Sequence, residues 1–98
     1  HRRDVRRLLT MPFNLDAPYR LHDQVALRPE PFGALAYHYG NRRLNFLRAP
    51  ELVTLVRSLS DHDSVRAALA ASRIEERRWP SFEKALASLA ESDVLVAP

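Results

Sequence analysis

The sequence predicts an α+β domain in which a small antiparallel sheet of three strands precedes three helices. Three observations lead there. Apolar residues alternate with period two between Gln24 and Leu47, two glycine-marked turns divide that stretch, and after Pro50 the period changes to about 3.6. A chain of 98 residues, 46% of them hydrophobic, holds one domain with a modest core.

Taken in order, Pro12 to Asp23 contains two prolines and no sustained period, so it reads as an extended lead-in. Its apolar members Phe13, Leu15, Tyr19 and Leu21 can lie along the domain surface. Residues 1–17 are expected to be an N-terminal extension and 18–98 the domain. The first strand follows Gln24, where Val25 and Leu27 alternate with Ala26 and Arg28. Glu30-Pro31-Phe32-Gly33 fits a type I turn, with proline fixing φ at the second position and glycine closing at the fourth. On the next strand Leu35, Tyr37 and Tyr39 point one way, and Ala34, Ala36 and His38 the other. Gly40-Asn41 suits a two-residue hairpin loop, since both residues tolerate positive φ. The third strand, Arg42 to Leu47, sets Leu44 and Phe46 on one face and Arg43, Asn45 and Leu47 on the other.

Helical spacing begins at Pro50, a residue favoured in the first turn, followed by Glu51, which complements the N-terminal dipole. Leu52, Leu55, Val56 and Leu59 form its core-facing stripe. A second helix is expected from Ser60, capped with help from Asp63, with Val65, Ala68 and Leu69 on its apolar face. Arg73 to Arg78 reads as a polar connection. Trp79-Pro80 opens the third helix, whose stripe is Phe82, Leu86 and Leu89. Val94 to Val96 is an apolar tail that can fold back on the core. Neither the thin sheet nor the helix trio can bury its apolar face alone, so the two pack together in a winged-helix-like arrangement.

Charge and composition narrow the function. Four arginines against one aspartate in the first ten residues account for the whole net charge of +3; the other 88 residues carry 11 basic and 11 acidic side chains. Such a neutral body lacks the electrostatic footprint of a phosphate-backbone binder. A winged-helix DNA-binding protein is nevertheless the principal alternative. Against it, Trp79 to Asp93 carries Lys84 against Glu83, Glu91 and Asp93, the wrong sign for a recognition helix. With no cysteine there is no disulfide and no thiolate metal site. No apolar run approaches the roughly 18 residues of a membrane span, and a cytoplasmic protein without membrane or nucleic-acid partners is expected. His1, His22, His38 and His62 match no metal-ligand spacing, and the glycines Gly33 and Gly40 build no phosphate-cradling loop. Neither Ser81 nor Ser88 sits in a nucleophile elbow, so no catalytic residue and no cofactor is assigned.

Several runs resemble a known family: Pro18-Tyr19-Arg20-Leu21-His22, Val25 through Gly33, Tyr37-His38-Tyr39-Gly40 with Arg42-Arg43-Leu44, and Phe46-Leu47 leading into Pro50-Glu51-Leu52-Val53. They are similar to the mycofactocin biosynthesis chaperones, small actinobacterial proteins of the PqqD-like class of RiPP recognition elements. The resemblance extends from Pro18 to about Val96, and Arg28 to Gly33 is its most specific part. It implies a non-catalytic protein that binds the mycofactocin precursor peptide and presents it to a radical SAM maturase, which decarboxylates and crosslinks the peptide's C-terminal Val-Tyr. In that class the precursor adds as a strand beside the third strand and touches the third helix. The resemblance therefore assigns peptide binding to Arg43, Leu44, Asn45, Phe46 and Leu47, and to Trp79, Phe82, Glu83 and Leu86.

Elementary energetics agree with this implication. A strand at a sheet edge offers unpaired N–H and C=O groups, so an extended guest gains ladder hydrogen bonds whatever its sequence. Each contributes only about 0.5–1.5 kcal/mol net, while ordering the guest costs ~2–5 kcal/mol, so apolar anchors are needed. Trp79, Phe82 and Leu47 are the expected anchors, and Asn45 an expected edge donor. For Trp79, Phe82 and Leu86, plain core burial is the competing assignment. Arg42 and Arg43 either attract acidic residues of the guest or keep the edge from self-associating.

Overall fold

Alternation between Val25 and Leu47 and helical spacing after Pro50 yield the expected order of three antiparallel strands and then three helices. The computed structural model describes residues 13–98. The elements are β1 (Arg20–Leu21), β2 (Val25–Glu30), β3 (Gly33–His38), β4 (Leu44–Leu47), α1 (Pro50–Ser58), α2 (Val65–Ala71), α3 (Trp79–Glu91) and β5 (Leu95–Val96). Short 3-10 turns at Leu59–Asp61 and Glu76–Arg78 precede α2 and α3. The main sheet has the order β2-β3-β4, with Leu27 opposite Ala36 and Leu35 opposite Phe46.

One face of that sheet carries Val25, Leu27, Ala34, Ala36 and Leu47, and the helices cover it. Ala34 and Ala36 are fully buried, and their small side chains let α1 approach β3 closely. Leu52, Leu55 and Val56 of α1, Val65, Ala68 and Leu69 of α2, and Phe82, Leu86 and Leu89 of α3 complete the core with Leu59, Ile74, Val94 and Leu95. Among the described residues no helix is long and apolar enough to cross a membrane.

Two local expectations change, and two others gain detail. The hairpin between β3 and β4 is not a two-residue loop: His38 pairs with Arg43, leaving Tyr39–Arg42 as the loop, with Arg42 at φ 63°. The His38 imidazole is buried beneath this loop, and its Nδ1 accepts from the N–H groups of Gly40 at 3.0 Å and Asn41 at 3.1 Å. The third strand accordingly starts at Leu44, two residues later than the alternation implied.

Second, α2 starts after Ser64 rather than Ser60. Ser64 Oγ accepts from Ala67 N–H at 3.0 Å, while Leu59–Asp61 closes as a separate tight turn. Third, the lead-in contributes to this cap. Val65 N–H donates to the Ala17 carbonyl and Arg66 N–H to the Leu15 carbonyl, so the otherwise unpaired first amides of α2 are satisfied. Arg66 also bonds Asp16 at 2.8 Å and holds its carboxyl below the usual value; the pair is exposed and adds little stability. Residues 13–17 of the expected extension thus dock on the domain; the earlier residues lie outside those described. Ser64→Ala is expected to cost about 1 kcal/mol and lower the melting temperature by roughly 4–8 °C in a calorimetric scan.

Fourth, the lead-in and the tail join as a second sheet, with Arg20 opposite Val96 and Leu21 opposite Leu95. The C-terminal stop of α3 sets this up. Asp93 at φ 61° lets Val94 N–H reach the Leu89 carbonyl at 2.9 Å, after which Val94 O accepts from His22 N–H.

Candidate functional site

Hydrogen-bond parity decides which backbone groups the sheet leaves open. The Arg43 carbonyl accepts from His38 N–H at 3.0 Å, so that pair is a hydrogen-bonded one. Bonded pairs alternate in an antiparallel ladder, making Ala36–Asn45 and Ala34–Leu47 the next two. The N–H and C=O groups of Leu44 and Phe46 consequently point away from β3 along an edge that no described strand covers. Asn45 is therefore not an edge donor, contrary to expectation, because its N–H faces Ala36.

The opposite edge of the sheet is poorer in donors. Tyr39 N–H donates to the Gln24 carbonyl, which by the same alternation turns Val25, Leu27 and Pro29 outward on β2. Val25 N–H is taken by the His22 carbonyl, and Pro29 has no N–H to give. Leu27 alone remains. Of the two borders, β4 therefore keeps more free N–H donors among the described residues.

Where β4 runs into α1, a groove of about 200 Å³ opens toward α3, lined by Arg48, Ala49 and Leu52 on one wall and Arg78, Ser81, Phe82 and Ala85 on the other. Arg48 lies over the Phe46 ring at 4.9 Å and Arg78 over the Phe82 ring at 5.2 Å, so each guanidinium rests on an aromatic face. Arg78 also pairs with Glu51 at 3.3 Å. The Glu51 carboxyl is held below its usual value, chiefly by its own backbone N–H and then by Arg78. Arg48 has no carboxylate partner among the described residues.

The expected peptide-binding residues divide among several positions. Leu44 and Phe46 are half exposed beside the open edge, and Arg43 is exposed at its start. Leu47 and Leu86 are fully buried and support the site from within the core. Phe82 is nearly buried and forms part of the groove wall. Trp79 is fixed from the other side, its Nε1 donating to the Ile74 carbonyl at 2.7 Å, and it does not line the groove. Glu83, half-buried on α3, is not among the residues that line the groove. Asn45 turns toward the helices, and its Nδ2 is buried without a partner among the described residues.

Sequence reasoning passed over Arg48, Ala49, Arg78, Ser81 and Ala85. A signal was present: Arg78, Ser81, Phe82 and Ala85 stand at i, i+3, i+4 and i+7, one helical face. It was masked because three of the four are polar or small.

Among the described residues no group of three or more His, Asp or Glu side chains can hold a metal ion. No solved structure matches the chain. The model of the peptide chaperone MftB family matches residues 18–96. The chain is 44% identical to a peptide chaperone MftB of Mycobacterium ulcerans (strain Agy99), over 94% of each chain. It is 46% identical to that of Mycolicibacterium smegmatis (strain ATCC 700084 / mc(2)155), over 86% of this chain and 82% of the relative. With the protein of Mycobacterium tuberculosis (strain ATCC 25618 / H37Rv) it shares 41% identity over 94% of this chain and 84% of the relative. The chain is thus a non-catalytic member of the peptide chaperone MftB family.

Proposed function

We propose that this chain binds the mycofactocin precursor peptide as a strand added along β4 and presents it, in the cytoplasm, to a radical SAM maturase. The observation that carries this reading is the pair of outward-facing backbone groups at Leu44 and Phe46, with an arginine-flanked groove at the strand's end. A guest strand there alternates its side chains between two environments. Those on the outer side lie against Leu44 and Phe46 and supply apolar contact. Those on the inner side face Asn45, whose unpartnered Nδ2 needs an acceptor, and the groove containing Arg48 and Arg78.

The peptide chemistry that fits is therefore apolar residues alternating with acidic or amide ones. Backbone pairing alone binds weakly, at about 1 kcal/mol per hydrogen bond against an ordering cost of ~2–5 kcal/mol. Burial of Leu44 and Phe46 and the charged contact at Arg48 supply the remainder.

A backbone NMR titration with the precursor peptide tests the docking. Shifts are expected at Leu44–Arg48 and along Arg78, Ser81, Phe82 and Ala85; shifts confined to loops away from β4 reject it. Arg48→Glu is expected to weaken the peptide roughly tenfold at low salt, with the loss shrinking as ionic strength rises, as read by isothermal titration calorimetry. An unchanged affinity would remove Arg48 from the site.

A further inference from the structure

Among the described residues, the groove beside β4 is lined by two arginines, Arg48 and Arg78, and by no acid. The two arginines are not equivalent. Glu51, in the first turn of α1 between the wall residues Ala49 and Leu52, reaches across to Arg78 on the opposite wall at 3.3 Å. Arg48 rests on the Phe46 ring and has no carboxylate within reach among the described residues. Ser81 offers no donor to a guest, because its hydroxyl already donates to the Arg78 carbonyl at 3.1 Å. The rest of the lining, Ala49, Leu52, Phe82 and Ala85, is apolar. Recognition of a polar guest group in the groove therefore falls to the guanidiniums.

We propose that Glu51 sets the charge selectivity of this groove by neutralising Arg78, so that the groove takes one carboxylate side chain, at Arg48, and disfavours guests that bring two. The inference rests on the reading of β4 as the peptide-binding edge. Arg48 and Arg78 against Glu51 leave the groove and its rim with one net positive charge. A guest strand turns every second side chain to the same side, so acids at alternate positions approach the groove together. The first meets Arg48, and the second meets the like charge of Glu51. Both members of the Glu51–Arg78 pair are half exposed, and such a pair adds little to stability. Its larger effect is on what Arg78 can bind. The Phe82 ring beneath Arg78 keeps that guanidinium at the wall whether or not Glu51 is charged.

Isothermal titration calorimetry of the chain with the precursor peptide, at low and at high salt, tests this on Glu51→Gln, Arg78→Gln and the double variant. Glu51→Gln keeps the side chain's length and removes its charge. The peptide is expected to bind it roughly threefold to fivefold more tightly at low salt, with the gain fading at high salt. Arg78→Gln leaves Glu51 unopposed and is expected to weaken the peptide by a similar factor, with the double variant between the two. A precursor carrying amides in place of its side-chain carboxylates should bind the parent chain and Glu51→Gln alike. Opposite signs for the two single variants are what a charge filter requires. If both weaken the peptide, the pair is a brace between the groove walls and the proposal is overturned. An unchanged affinity in Glu51→Gln, or a gain that survives with the amide peptide, overturns it as well. Backbone NMR shifts of the parent chain at Leu44–Arg48 separate the two readings: where they are present the charge filter alone falls, and where they are absent strand addition falls and takes the filter with it.

Discussion

Gly33→Ala is expected to lower stability by on the order of 3 kcal/mol and to abolish measurable peptide binding. Gly33 sits at φ +148°, a conformation that side-chain-bearing residues rarely adopt, and a Cβ there would overlap the Leu47 carbonyl and lie 3.1 Å from Ala49 N. Both obstructing groups are backbone, so no side-chain rotation relieves the overlap. The chain has to separate β3 from β4 where Ala34 faces Leu47, and that junction also positions Arg48 and the start of α1. Calorimetry should register a melting temperature lower by roughly 10–20 °C. A variant within about two degrees of the parent would show that the β3–β4 junction yields more easily than the geometry implies.

That junction also shows how far the sequence could be read. Alternation and turn chemistry located the three strands and their facing residues, because one buried side imposes period two. Loop length was harder, since Gly40-Asn41 is an apt two-residue turn and the loop instead spans four residues around the buried His38 ring. Either loop keeps the same residues opposite each other, but the bonded and non-bonded pairs exchange. With the shorter loop, Asn45 would present its N–H to the edge; with the observed one, Leu44 and Phe46 do. Side-chain facing was therefore legible, and backbone donor direction was not.

Other omissions have similar physical causes. The β1–β5 pair is only two residues long in each strand, too short for a period to register. Arg73 and Asp93 occupy the left-handed positions that end α2 and α3, at φ 59° and 61°, where glycine would have flagged the stops. The groove wall on α3 escaped notice because hydrophobic spacing drew attention to Phe82, Leu86 and Leu89, of which only Phe82 reaches the groove.

Proline substitution along β4 separates the open edge from the ladder within one strand. Phe46→Pro removes an outward donor and an exposed anchor while leaving the bonded pairs Ala36–Asn45 and Ala34–Leu47 in place, and proline is tolerated on edge strands at such positions. The lost guest hydrogen bond is worth about 1 kcal/mol and the lost aromatic contact ~1–2 kcal/mol, which together weaken the peptide by on the order of 50-fold. Phe46→Ala keeps the donor and should lose only the contact, a reduction of roughly tenfold. Asn45→Pro acts differently: it removes the N–H directed at Ala36, breaks the ladder and should destabilise the domain by about 3 kcal/mol before any peptide is added. Calorimetric titration and thermal unfolding of the three variants distinguish these outcomes. If Phe46→Pro and Phe46→Ala bind alike, the Phe46 N–H does not bond the guest, and the peptide is held by side chains rather than by strand addition.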